Sequence, residues 1–386
     1  MSRLKPLFLT FGSLVLAGVL FTGLRIAAQD LPHRLREKAA EAQTGVRSWV
    51  EEGRDPSAIL ALMQQVKPAL DAGDPRQAEA LLDRALNMLS DSATPGDRSE
   101  PQSDLYIRPE PVSIDGYDGS AMEPFLSPDG RYLFFNNEND QNVNTNLHFA
   151  ERTGKLSFRY LGELPGVNSP LNSRMLDAVA SLDSAGHFYF TTLREYDTTM
   201  NSLYTGDFDG KVVRNLRPVP GDISPRTPGT INMDASISPD GRSLYISRAI
   251  IFPGAPAPKK SELMIARLTE GAFHLDPDSA AIMKNVNTSA LQYAPCISAD
   301  GLELYFTRAS QLMAGADAPG ALLRIMVATR TSVNEPFGEP RALTALSGFV
   351  EAPTISLDRK EMFFHKRVGK IFMIYRAERN ANAPRL

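Results

Sequence analysis

The chain has 386 residues, room for two or three domains, and its 42% apolar and 22% charged content excludes a disordered or collagen-like chain. A net charge of −4 excludes a general nucleic-acid binder, and one cysteine, Cys296, excludes an intramolecular disulfide framework and a Cys-rich zinc site. With 27 Gly and 28 Pro beside 19 Phe and 11 Tyr, the composition predicts many short strands joined by turns.

Arg3 and Lys5 precede an apolar run from Pro6 to Leu24, and Ile26-Ala27-Ala28-Gln29 follows it. A charged start, an apolar stretch and a small-residue end describe an export signal over residues 1–29. The same run is close to bilayer-spanning length, so residues 6–24 also fit an uncleaved anchor in the inner membrane, its N-terminus held in the cytoplasm by the two cations. Either way everything after about residue 29 is expected to be exported to the periplasm or cell surface. No cysteine follows the run, which excludes a lipoprotein anchor.

Residues 30–91 have a helical pattern. Ala78, Leu81, Leu82, Ala85, Leu86 and Leu89 form one face after the start signal Asp74-Pro75. Ile59, Leu62, Met63, Val66 and Leu70 form another after Asp55-Pro56, with Pro68 expected to kink or shorten that helix. Ala72-Gly73-Asp74 joins them into an antiparallel hairpin whose second half looks like a tetratricopeptide-type helix. One hairpin cannot form a solenoid, which leaves a spacer or a partner-docking element. Residues 92–104 are polar, with Pro and Gly, and are expected to be a linker.

From residue 105 the sequence repeats. Segments beginning at Glu123, Asp177, Asp234, Ala294 and Ala352 each run into a turn of the Ser-Pro-Asp-Gly type and then an apolar triplet such as Leu133-Phe134-Phe135. The aligned aspartates 129, 183, 240, 300 and 358 recur every 54 to 60 residues, a toroid or array period. Each turn suits a hairpin, and each unalternating triplet suits a strand buried on both faces. A third strand follows in every unit and a fourth in units one to four; the fifth unit lacks its own. Leu105–Val112 precedes the first unit without a partner, so the expectation is five four-stranded blades closed by the N-terminal strand, with six blades as second choice.

These blades resemble the TolB-like, WD-type (Ser-Pro-Asp-Gly) β-propeller repeat of exported bacterial proteins, over residues 105–386. The resemblance implies an all-β propeller, preceded here by a small α-helical segment, in the cell envelope. Blade two has an extra residue in its turn (Asp183-Ser-Ala-Gly186) and blade five lacks the turn glycine. TolB has six blades and an N-terminal α/β domain, so its partner does not carry over to a chain with helices there.

No nucleophile elbow, zinc-protease helix, phosphate loop or EF-hand pattern occurs. The five repeat aspartates are turn formers. Six residues before them stand Glu123, Asp177 and Asp234, against Ala294 and Ala352 in blades four and five. Placed at the start of the innermost strands, the three carboxylates are expected to converge at one mouth of the channel. They then either bind a cation such as Ca2+, act as the acid and base of a carbohydrate-active hydrolase, or satisfy backbone donors as ordinary repeat consensus. The expected function is a non-catalytic binding or scaffold protein, without a cofactor unless Ca2+, for an envelope protein or a glycan, using rim loops such as Phe252–Lys260, Pro218–Ile231 and Gln311–Gly320. The alternative is the hydrolase.

Overall fold

A computed structural model describes residues 33–51, 56–90, 101–137, 144–170, 175–250, 258, 260–288, 290–309, 323–369 and 371–383. The export signal and most of the loops Phe252–Lys260 and Gln311–Gly320 lie outside them. Among the described residues, no helix is long and apolar enough to cross a membrane. The chain divides into a helical unit and a β unit.

The helical unit holds α1 (His33–Glu51), α2 (Ser57–Asp71) and α3 (Pro75–Ser90). Asp74 Oδ1 accepts the Gln77 N–H at 2.9 Å, the capping bond expected of Asp before Pro. The hairpin does not stand alone. Its stripes (Ile59, Leu62 and Met63; Ala85) close over Ala42, Val46 and Trp49 of α1, while Lys38 of α1 bonds Glu79 of α3 at 2.7 Å. Pro68 does not shorten α2, which continues to Asp71 because the Pro68 carbonyl still accepts the Ala72 N–H at 3.0 Å; proline removes a donor, not an acceptor.

The β unit is a five-bladed propeller. Blade one comprises β4 (Met122–Leu126), β5 (Tyr132–Asn136), β6 (Leu147–Arg152) and β7 (Ser157–Glu163). Blade two comprises β8 (Asp177–Leu182), β9 (His187–Thr192), β10 (Leu203–Phe208) and β11 (Val213–Pro218). Blade three comprises β12 (Thr230–Ile237), β13 (Ser243–Ile250), β14 (Lys260–Thr269) and β15 (Ala272–Leu275). Blade four comprises β16 (Leu291–Ile297), β17 (Glu303–Ala309), β18 (Leu323–Thr329) and β19 (Arg341–Leu343). Blade five comprises β20 (Val350–Ile355), β21 (Glu361–Val368) and β22 (Ile371–Arg379), completed by β2 (Tyr106–Pro111), which pairs antiparallel with β22.

Closure goes further than one strand. Gln102–Ser103 (β1) pairs parallel with β19 of blade four, and Ser113–Asp115 (β3) pairs parallel with β7 of blade one. Residues 102–115 therefore stitch blades four, five and one, and the segment read as linker ends before Gln102. The apolar triplets are buried as their pattern predicts, with Leu133, Phe134 and Phe135 each at 0% exposure.

The hairpin turn is built by its serine. Ser127, Ser238, Ser298 and Ser356 each donate to the aspartate two residues on and accept the N–H of the residue five on. The turn glycines 130, 241 and 301 have φ of +71° to +73°; in blade five Arg359 takes that left-handed place at φ 61°. Blade two differs. Asp183 itself occupies the serine position, Oδ1 accepting the N–H groups of Ala185 and His187 at 2.9 Å.

Each inner strand starts at the face where second and third strands are joined, and runs toward the tight turns. It also carries a bulge. The register breaks after Met122, Ala178, Asn232, Tyr293 and Glu351, and Glu123, Val179, Ala294 and Ala352 take φ of 51°, 56°, 49° and 54°. A bulge re-aims the backbone and side chain. Here it turns an N–H toward the preceding blade.

Candidate functional site

The bulged N–H groups find side chains across the blade seams. Val179 donates to Asn136 Oδ1 at 3.4 Å, Ala294 to Asp234 Oδ2 at 3.1 Å and Ala352 to Thr307 Oγ1 at 3.0 Å. Glu123 donates its N–H to His365 Nδ1 at 3.0 Å. A ring nitrogen that accepts from an amide carries no proton, so His365 holds its proton on Nε2 and donates it to Glu351 Oε2 at 3.1 Å. Tyr293 donates its hydroxyl to the other oxygen, Glu351 Oε1. One polar chain thus links blades four, five and one, and Asp234 ties blade three to blade four.

Glu123, Asp234 and Glu351 all act electrostatically on Tyr293, whose hydroxyl is held well above its ordinary pKa by burial and by these carboxylates. Burial pushes the Asp234 carboxyl up to about 7 against the Ala294 N–H and the Ser247 hydroxyl, with Glu351 adding to the rise. Burial thus favours the neutral form of this one carboxyl. Among the described residues, no three His, Cys, Asp or Glu side chains are arranged to hold a metal ion, and the Ca2+ expectation gains no support from this geometry.

Asp177 stands elsewhere. Counted from the residue that anchors each turn (Ser127, Asp183, Ser238, Ser298 and Ser356), the equivalent position is filled by Glu123, Val179, Asp234, Ala294 and Ala352, bulged in all but blade three, where Asp234 pairs with Ser247 and Met233 is the residue skipped. Asp177 lies two residues earlier, matching Asn232 and Gln292. Alignment on the turn aspartates misplaces it because blade two uses its aspartate as the anchor. Its carboxylate, fully buried, pairs with Arg194 at 2.7 Å and accepts the Ser169 N–H at 2.7 Å, holding the connection from blade one. Glu351, His365 and Tyr293 were missed. Glu351 sits one residue before the aligned Ala352, so a column comparison sees an alanine where the fold supplies an acid.

The channel itself is narrow. Glu123, Pro124, Val179, Ala235, Ala294 and Ala352 line a cavity of ≈ 30 Å³, space for about two waters. Below it Phe125, Leu182, Ile237, Cys296 and Ile355 line another of ≈ 30 Å³. A ligand pocket for a small molecule is typically about tenfold larger.

No family model matches the sequence, and no curated protein does. Solved structures do. A thermostable family-43 glycoside hydrolase is 12% identical, over 70% of this chain and 92% of that one, with a TM-score of 0.44. A putative exo-β-1,3-galactanase from Bifidobacterium bifidum is 13% identical over 73% and 95%, with a TM-score of 0.44. TolB from Acinetobacter baumannii is 14% identical over 80% of this chain and 71% of that one, with a TM-score of 0.35. The chain is similar to TolB and to glycoside hydrolases alike. At such identity and overlap these likenesses carry no argument about activity, and the five-bladed fold rests on the chain's own sheets.

Proposed function

We propose that this protein is an exported binding propeller of the bacterial cell envelope that recognises an envelope protein or a glycan through its loop-bearing face and performs no chemistry in its channel. The observation that carries this reading is the channel mouth. Two of its carboxylates are committed to internal hydrogen bonds, Asp234 to Ala294 and Glu351 to Tyr293 across blade seams and Glu351 to His365 within blade five, above a void of ≈ 30 Å³. A hydrolase needs a sugar ring seated between its two acids, whereas among the described residues the cavity that Glu123 lines has room for about two waters. The loop-bearing face offers Pro218–Ile231 and the turn of helix Tyr196–Thr199 on a rigid scaffold, the usual setting of recognition. Arg3, Lys5 and the apolar run from Pro6 to Leu24 support export.

The alternative, a carbohydrate-active hydrolase, draws on one observation: a carboxyl with a pKa of about 7 beside a second acid. The two separate on a panel of aryl glycosides. The binding reading expects no turnover; turnover that disappears in Asp234→Asn while the fold survives establishes the hydrolase instead. A reporter active only outside the cytoplasm, fused after Leu386, should give signal, and retention in the cytoplasm removes the export reading.

A further inference from the structure

Three arginines do the same job in successive blades. Nη2 of Arg194, Arg248 and Arg308 donates to the carbonyl of Val167, Ile223 and Val286, each in the connection entering that arginine's blade. In blade two the guanidinium charge is matched by Asp177 at 2.7 Å. In blade three the equivalent inner-strand residue is Asn232, whose Oδ1 accepts from Arg248 Nε at 3.1 Å and brings no charge.

Arg248 is half-buried, and burial alone acts on it, pushing its pKa down with no carboxylate to offset the cost. Among the described residues no acid pairs with it, and nothing is bonded to its Nη1. A partly desolvated cation without a counter-charge is costly to keep unless something else supplies one. Three residues beyond Ile223 lies Arg226, exposed, at φ 49° and also without an ion pair among the described residues. The stretch 224–230 around it belongs to the loop-bearing face.

We propose that Arg248 receives a carboxylate side chain from an acidic segment of a partner protein, which restores between two chains the pair that Asp177 and Arg194 make within one. The free guanidinium edge gives the incoming carboxylate a charge-assisted site, and Arg226 supplies a second positive charge for a neighbouring acid. This inference rests on the recognition reading above and names the chemistry of the partner.

Isothermal titration of the full chain with a hexaglutamate peptide, at low and high salt, tests it. The wild type should bind, more weakly as salt rises. Arg248→Gln should weaken binding at least about tenfold. Asn232→Asp, which places the missing acid beside Arg248 at the loss of the Asn232 Nδ2 bond to the Ile223 carbonyl, should abolish binding while the protein keeps a cooperative melt. Absence of binding by the wild type, or binding by Asn232→Asp equal to it, overturns the inference. So does binding of tri-galacturonate in place of the peptide, which makes the ligand a glycan. Unchanged peptide binding by Asn232→Asp sinks this inference alone, whereas turnover of an aryl glycoside sinks the recognition reading.

Discussion

Asp234 shows how one residue couples the seam to pH. Its carboxyl titrates at about 7 in the fold because burial penalises the charge, and at about 3.9 in an unfolded chain. The folded state therefore holds the proton more tightly. The stabilisation is fully present below about pH 4 and is lost as pH rises to about 7, amounting to on the order of 4 kcal/mol at most. Asparagine keeps an acceptor for the Ala294 N–H without the ionisation. The expected outcome is that Asp234→Asn removes much of the decline in melting temperature between pH 4 and 8. Parallel decline in both proteins would show that Asp234 is not the group responsible.

Serine anchors act at the scale of the hairpin. Ser298 bonds Asp300 at 2.6 Å and the Glu303 N–H at 2.9 Å, and is 1% exposed. Ser298→Ala strips both bonds from a buried turn, so chemical denaturation should register a loss of about 1–3 kcal/mol. A loss no larger than a surface substitution would deny the serine its anchoring role. Asp183 does the same work in blade two with a carboxylate, and this one exchange misled the sequence alignment. Counting from the aspartate put Asp177 in the bulge column, while the backbone puts Val179 there at φ 56°.

The elements themselves were legible because their signals are local: triplets such as Leu133-Phe134-Phe135 and the turns before them need no partner to be read. The strands β1 and β3 were not legible. Two- and three-residue parallel pairings carry no periodicity, and Ser113-Ile114-Asp115 reads as loop until β7 lies beside it. The same reason hid most of the cluster. Tyr293, Glu351 and His365 come from two blades and three strands, and only ring closure brings Glu123 within reach of His365.

For the whole molecule, closure is the weakest link and the most testable. Residues 102–115 run across three blades, pairing Gln102 with Ala342, Tyr106 with Arg379 and Ile114 with Phe158. The central contact is buried, since Tyr106 is 0% exposed, stacks edge-on to Tyr305 at 5.8 Å and donates its hydroxyl to the Arg359 carbonyl at 2.7 Å. Removing residues 101–115 would uncover β22, a nine-residue strand with an open row of donors and acceptors, and strip the shorter edges at β19 and β7. Exposed edges of that length invite pairing between molecules. The truncated chain should therefore aggregate, and a synthetic peptide of residues 101–115 added during refolding should return it to monomer with a cooperative melt. The peptide is the decisive arm, because simple loss of stability would not be repaired in trans. A truncated chain that stays monomeric and melts like the full one would mean that the ring is held by the seams alone, by His365 and Glu123 on one side of blade five and Ala352 and Thr307 on the other.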